Sequence, residues 1–326
     1  MSFKGKKVLV AGGTGMIGIP LVEMLLKDGA RVRIASLDDP SRAHPKAEFM
    51  KADLRIYENC LKACDGVDFA FNLLCIKGSP AACAAKPASM ITPMLLFNSN
   101  LIEAAHKSGV KGYLYTSSIG VYPPAEIFYE DDVPKGVPSP NDRFAGWAKR
   151  TGEVQAEAYK IEHGWQDVTI ARLSNIYGPY DNFDRENAMV VPSLIRRAVE
   201  EEDPFVVWGD GTPERDFLHA SDAARGILIA AQSGKGQVLN VGSGLGLSIK
   251  NLVSAVLSNL DKKPKVVYDA SKTSGDRKRI MDISRARAIG FEPKISIEEG
   301  VKDTMAWYRK NRDLARKRFD VFEALS

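Results

Sequence analysis

Cysteine and histidine are scarce in this chain of 326 residues, at four each. The cysteines (Cys60, Cys64, Cys75 and Cys83) crowd into one stretch with no histidine at ligand spacing, which argues against zinc and against a disulfide framework. Unpaired thiols fit a reducing, cytoplasmic setting. No segment approaches the roughly 18 uninterrupted apolar residues that a membrane span needs, so no membrane partner is expected. The N-terminus runs through Lys4, Lys6 and Lys7 directly into a strand pattern, which is not the form of a secretory signal. A net charge of +4 is too slight to argue for nucleic acid. It would still suit a small polyanion if the basic side chains cluster.

What is present is ordinary globular composition, 44% apolar and 26% charged, with no low-complexity tract or internal repeat. This length can bury one large core, or one large and one smaller lobe. The first half alternates short apolar runs with helical patterns, which predicts βαβ units and a parallel sheet. Strands are expected at 7–11, 31–36, 47–51, 69–74, 112–116 and 167–173, with helices over about 16–28, 90–106 and 143–162. Further on come a turn-rich stretch at 179–187, a helix at 190–201 and strands at 205–208 and 216–219. A buried-strand pattern at 238–241 could rejoin the first sheet, and amphipathic helices follow at 248–260 and 297–310.

The sharpest motif is Gly12-Gly13-Thr14-Gly15-Met16-Ile17-Gly18, placed between a strand and a helix. In that context a glycine pattern reads as a dinucleotide loop. Gly12 permits the tight turn, Gly15 lets the backbone approach a pyrophosphate, and Gly18 lets the helix pack closely on the sheet. Thr14, Met16 and Ile17 complete the cofactor contact, and the helix N-terminus offers free N–H groups to phosphate. Ser36 stands where an NAD-binding carboxylate is usual, and Asp38 two residues on would repel a 2′-phosphate, whereas Arg42 would attract one. The balance favours NAD, with NADP not excluded. Asp53 and Leu54 are candidate adenine contacts, although Asp53 equally suits a helix cap for the run starting near Ile56.

The glycine loop, Thr116-Ser117-Ser118…Tyr122-Pro123, Trp147-Ala148-Lys149-Arg150-Thr151-Gly152-Glu153 and Trp208-Gly209-Asp210-Gly211-Thr212…Arg215-Asp216-Phe217 together resemble the extended short-chain dehydrogenase/reductases, and more narrowly the NAD-dependent epimerase/dehydratase family. The likeness runs from Lys6 to about Trp307. It implies a doubly wound parallel Rossmann sheet with a smaller α/β substrate-binding lobe. The Rossmann part would span 1–173, with 217–244 returning to it, and 174–216 with 245–326 would hold a nucleotide-sugar. It also implies a homodimer paired through the helices near 90–106 and 143–162.

That family uses a Ser/Thr–Tyr–Lys constellation, in which Tyr moves the proton at the sugar hydroxyl while Lys supports it by charge. Ser118 and Lys149 match two members. The Tyr belongs four residues before Lys149, one helical turn away, and that position is Ala145. Phe144 is one residue out of register and has no hydroxyl. The chain is then an inactive Tyr-to-Ala variant of an otherwise complete site, or it uses another hydroxyl such as Tyr122 or Tyr129. A third reading is a non-catalytic dinucleotide sensor or binding protein.

Asn175-Ile176-Tyr177-Gly178-Pro179-Tyr180-Asp181-Asn182-Phe183, Val190-Val191-Pro192 and Asp269-Ala270-Ser271-Lys272 most resemble the GDP-L-fucose synthase branch. The resemblance implies a GDP-sugar held by Ser118, Asn175, Trp208 and the arginines Arg197, Arg215 and Arg279, whose forks suit phosphate oxygens. Two departures limit the chemistry. The Cys and His that move carbon-bound protons in that branch fall at Gly120 and Met189, which disfavours C3/C5 epimerisation. The dehydratase Asp-Glu pair is replaced by Ile119-Gly120, which disfavours loss of water. What survives is hydride removal at one sugar carbon and its return to the same or opposite face. Cys83 is a possible substitute acid–base group or a packed residue of an alanine-rich loop, and His219 a capping or packing residue.

Overall fold

The computed structural model describes residues 2–272, 275–316 and 318–319. In chain order β1 (Lys7–Ala11), α1 (Gly18–Lys27), β2 (Arg31–Ser36), β3 (Glu48–Lys51), α2 (Tyr57–Cys64), β4 (Phe69–Asn72), α3 (Pro80–Ala85), α4 (Pro87–Lys107) and β5 (Gly112–Ser118) build the first half. Then come the short β6 (Ile127–Phe128), the long α5 (Arg143–His163) and β7 (Val168–Leu173). The chain continues through β8 (Asn175–Tyr177), α6 (Val190–Val199), β9 (Phe205–Trp208), β10 (Glu214–Arg215), β11 (Phe217–His219), α7 (Ala220–Ser233) and β12 (Val238–Val241). It ends in β13 (Leu247–Ser248), α8 (Ile249–Leu257), β14 (Val266–Asp269), β15 (Lys278–Met281), α9 (Ser284–Ala288), α10 (Ile297–Lys310) and α11 (Arg312–Arg316).

Seven strands form one parallel sheet in the order β12-β7-β5-β4-β1-β2-β3. Its strands are apolar on both faces, because both faces are covered. Leu9, Ala70 and Tyr113 face a core shared with α2, α4 and α5. Val8, Val10, Phe71 and Leu114 face the opposite core, shared with α1 and α7. This is the doubly wound Rossmann architecture. The strand order reverses between β1 and β4, so the loops after those strands diverge and open a crevice at their carboxyl ends.

Short strands make three smaller sheets beyond it: β13-β10-β15-β6, β11-β8 and β14-β9. A separate apolar core under α6, α8 and α10, with Phe205, Leu252 and Met305 at its centre, supports this second layer. Asp216 ties the pieces together. Its buried carboxylate accepts hydrogen bonds from the backbone of Ser243, Gly244 and Met281 and from the Ser243 hydroxyl. The strand expected at 216–219 therefore starts at Phe217, and it pairs with β8.

Several elements have no counterpart in the sequence pattern. Helix α7 is capped by a histidine ring, Nδ1 of His219 accepting from the Ser221 N–H at 3.3 Å. It also carries a buried acid, Asp222, which receives the N–H groups of Lys294 and Ile295. Neither device is the Ser/Asp cap that marks a helix start. The two-residue strands β6, β10 and β13 are too short to show any period.

Candidate active site

The glycine loop sits at the crevice. Gly12 has φ +81°, the left-handed region that glycine enters without strain. A Cβ on Gly18 would strike the Gly12 carbonyl oxygen and lie 2.6 Å from Gly13 Cα, so α1 reaches the sheet only because that atom is missing. On Gly15 the nearest atom would be the Gly12 carbonyl oxygen at 3.3 Å, which leaves its outer side to the groove. These glycines open into a groove of about 630 Å³. Thr14, Met16, Ile17, Ser36, Asp38 and Leu54 all line it. Its size and the N–H groups at the start of α1 fit a dinucleotide.

The ribose edge is a closed network. The Thr14 and Ser36 hydroxyls meet at 2.6 Å, and Thr14 donates to Asp38 Oδ2 at 2.7 Å. The N–H of Phe319 donates to Asp38 Oδ1 at 2.8 Å, bringing the C-terminal segment onto this edge. Arg42 lies on the groove wall with its fork already engaged. It is buried and donates to the carbonyls of Leu314, Thr14 and Tyr180, while its Nε lies 3.7 Å from Asp38. Burial lowers its pKa, an effect that Asp38 opposes. Asp53 does not cap α2, whose first turn follows Ile56 without a side-chain cap. Its carboxylate instead grips the backbone and guanidinium of Arg55, which holds its pKa down, and the pair lines the groove.

Beside the groove α5 packs on β5 and sets Lys149 against that strand. Lys149 is buried, and its Nζ donates to the carbonyls of Thr116 at 2.8 Å and Leu74 at 3.0 Å. Desolvation lowers its pKa, as expected for an ammonium taken from water. Beneath it Glu153 accepts from Ser117 at 2.5 Å and forms a two-armed pair with Arg172 at 2.9 and 2.7 Å, fixing α5 to β5 and β7. Ser118 ends β5, and its Oγ accepts the Gly120 N–H at 3.1 Å. Ala145 stands one turn before Lys149 and packs on the apolar cluster that also contains Leu74, Met90 and Cys83.

Tyr122 does not take the place of a tyrosine at 145. Tyr122 is turned into the core, where its hydroxyl donates to Asn240 at 2.6 Å and accepts from Arg172. Tyr129 is half-exposed beyond the short strand β6. The Cys83 thiol is pushed up by burial and leans 3.6 Å from the Gly78 carbonyl. His219 is buried as the cap of α7, and burial lowers its pKa. Among the described residues no cluster of metal-binding side chains occurs, and no helix is long and apolar enough to cross a membrane.

The substrate candidates are dispersed. Arg215 and Arg279 lie side by side on the paired strands β10 and β15. The Arg279 fork is turned inward, toward Asp142 at 2.6 Å and the Ile119 carbonyl at 3.3 Å. Arg197 pairs with Glu202 at 2.6 Å and with the Val206 carbonyl, over the Phe205 ring. Trp208 is exposed, with the Lys272 ammonium 6.0 Å above its ring. Asn175 donates its amide to the Asp216 carbonyl. Lys77, paired with Asp181 at 3.3 Å across the groove, is a cation that sequence reasoning passed over, because only the fold joins those loops.

Residues 8–242 match the family model described as the NAD dependent epimerase/dehydratase family. The chain is 31% identical over 325 residues to GDP-L-fucose synthase 1 of Arabidopsis thaliana, with 95% of each covered. It is 29% identical to the GDP-L-fucose synthase of Escherichia coli strain K12, covering 95% of this chain and 99% of that one. Among solved structures it superposes on the UDP-glucose 4-epimerase of Thermotoga maritima, crystallised with UDP-glucose, at a TM-score of 0.82. That pair shares 28% identity, over 93% of this chain and 99% of the other. A glycine cradle at the sheet's switch point, a buried lysine on α5 and a match over most of the chain agree: this chain belongs to the NAD dependent epimerase/dehydratase family.

Proposed function

We propose that the chain binds NAD on the Gly12–Gly18 loop and a nucleotide-diphosphate sugar beside it, and acts on one sugar carbon by hydride removal and return. The observation that carries this reading is the cradle of Gly12, Gly15 and Gly18 opening into a groove whose inner wall at Leu74 is held by the Lys149 ammonium. When bound, the nicotinamide supplies the hydride acceptor and donor. The chain's own residues do the rest. Lys149 presents a fixed positive charge, Ser118 offers a hydroxyl, and the N-terminus of α1 receives the pyrophosphate.

Asp38 supports NAD over NADP, because a 2′-phosphate would face its carboxylate while the Arg42 fork is already spent on backbone carbonyls. The relatives named as GDP-L-fucose synthases support guanine as the base. The layer built from 174–216 and 245–326, with Arg215 and Trp208, is the part proposed to hold the nucleotide-sugar. Absence of the carbon-acid groups at Gly120 and Met189 favours 4-epimerisation or simple keto-reduction and oxidation over C3/C5 epimerisation.

A homodimer is part of this proposal. Trp147, Val154 and Ile161 recur every seven residues along α5 and are exposed, Val154 by 62% and Ile161 by 78%. Leu96 on the adjoining α4 is also exposed. Such a stripe suits a second helix pair, and sedimentation at twice the monomer mass is the expected result. The four free thiols support a reducing, cytoplasmic compartment.

Ala145 favours one other reading, a dinucleotide sensor without catalysis. Thermal shifts with NAD and with GDP-, UDP-, CDP- and dTDP-sugars separate the two, since a ligand at 100 times its Kd adds about 2.7 kcal/mol. The proposal expects a shift with NAD and with a nucleotide-sugar. It further expects turnover of that sugar by the unaltered chain or by Ala145→Tyr. Bound sugar with no turnover by either chain refutes the enzyme reading in favour of the sensor.

A further inference from the structure

Position 145 carries no hydroxyl, and the structure brings a carboxylate close to Ser118 instead. Asp142 is the residue before α5, and its side chain does not cap that helix. It is aimed across at β5's end instead. A Cβ built on Gly120 would lie 3.3 Å from the Asp142 carboxyl carbon and 3.5 Å from Ser118 Oγ, so the carboxylate and the serine hydroxyl border one small space. Gly120 is what leaves room for it. Asp142 keeps 29% of its side chain exposed, although its Oδ2 atom is itself buried against Arg279.

The groups facing Asp142 are accounted for. Arg279 Nη1 is 2.6 Å from Oδ2, in ionic contact but off the hydrogen-bond axis, so the Oδ2 atom has no hydrogen-bond donor. Arg279 also touches Asp276 at 3.6 Å, and the Asp142 charge favours the protonated forms of Arg215 on the flanking strand and Cys83 on the flanking loop. Of the other acid–base groups near Lys149, the exposed Cys75 thiol lines the groove and donates to the Ile76 carbonyl at 3.5 Å. Glu153 is locked in its pair with Arg172, and the Tyr115 hydroxyl, raised well above its usual range by burial, sits behind the lysine.

Resting on the function proposed above, we propose that Asp142 is the catalytic proton carrier of this site, doing from the N-terminus of α5 what a tyrosine at 145 would have done. In the oxidative direction the Asp142 carboxylate takes the proton of the sugar hydroxyl. A bound oxidised nicotinamide would supply the hydride acceptor, so that the C–H electron pair would leave as hydride and the C–O bond become C=O. On return of the hydride to the carbonyl carbon, the Asp142 carboxylic acid would give its proton back to the oxygen. Atoms and electrons balance over the two steps, and Ser118 hydrogen-bonds the same oxygen throughout. A positioned acid–base group of this kind contributes about 10²–10⁴-fold to rate.

The test uses the full-length chain saturated with NAD, with GDP-mannose, GDP-glucose, UDP-glucose and dTDP-glucose as probes. Binding is read by calorimetry and turnover by NADH absorbance and sugar NMR. Four chains are compared: unaltered, Asp142→Asn, Asp142→Ala and Ala145→Tyr. The expected result is that the unaltered chain converts a sugar it binds. Asp142→Asn should bind that sugar comparably but turn it over about 10²–10⁴-fold more slowly. Added formate should restore part of the rate to Asp142→Ala, a response that a merely structural aspartate would not give. Turnover by Asp142→Asn close to the unaltered rate overturns the proposal. Sugar bound by the unaltered chain but converted only by Ala145→Tyr also overturns it, while leaving the function intact. If no chain binds any of the probes, both fall together.

Discussion

Adding one methyl group at Gly18, and one at Gly15, separates what the glycine loop does for the fold from what it does for the cofactor. At Gly18 the new Cβ would collide with the Gly12 carbonyl oxygen and approach the Gly13 Cα and carbonyl carbon at 2.6 and 2.8 Å. These are backbone atoms, and no rotamer change relieves them. Overpacking costs about 1–3 kcal/mol, and rigid backbone neighbours put this site at the upper end. Alanine returns up to about 1 kcal/mol of helix propensity at the start of α1. The net loss is about 2 kcal/mol, a fall in Tm of roughly 4–8 °C at about 2–4 °C per kcal/mol for a chain of this kind. At Gly15 the only neighbour is the Gly12 oxygen at 3.3 Å, so the fold should tolerate the methyl. That methyl would, however, hold a pyrophosphate away from the loop. Thermal unfolding without ligand, followed by calorimetric titration with NAD, reads both effects. Gly18→Ala should melt early, and Gly15→Ala should melt normally yet bind NAD at least tenfold more weakly. A Gly15→Ala chain with unaltered NAD affinity would refute the placement of the pyrophosphate.

Two further substitutions probe the surroundings of the site. Asp216→Asn should destabilise the chain by about 2–3 kcal/mol in denaturant melts. The four hydrogen bonds it accepts all need acceptor oxygens, and an amide sets an NH₂ against one of the N–H donors. Unchanged stability would mean that Asp216 is not the tie between the large sheet and the smaller layer. Asp38→Asn should leave NAD binding within a few-fold while improving NADP binding about tenfold or more, because it removes the charge a 2′-phosphate would face. A constant NAD/NADP ratio in paired titrations would transfer cofactor choice to other residues.

The large sheet was readable because its signals are local. Lys7–Ala11 and Val238–Val241 are mainly apolar runs of strand length, Arg31–Ser36 opens by alternating arginine with apolar residues, and the glycine loop carries its own geometry in seven residues. Ala145 was equally plain, since only spacing to Lys149 is needed to notice it. What stayed hidden depends on how the fold places side chains. Arg42 reads as a phosphate ligand until the fold brings the carbonyls of Tyr180 and Leu314 to it. Asp53 reads as an adenine contact or as a cap; Arg55 two residues on takes its carboxylate, which does not cap α2. Asp142 gave no signal at all, because its meaning comes from the space beside Gly120, twenty-two positions earlier. Arg197, one of three similar arginines in sequence, turns to Glu202 and the Val206 carbonyl, neither of which the sequence marks as its partner.

The central claim is that one groove holds a nicotinamide cofactor and that a nucleotide-sugar binds beside it. Sequential calorimetric titration tests it most directly, first NAD into the free chain and then GDP-mannose and UDP-glucose into the NAD-loaded chain. The account predicts one NAD per chain and saturable binding of a nucleotide-sugar to the loaded protein. Absence of NAD binding, or sugar binding abolished once NAD is in place, would contradict it.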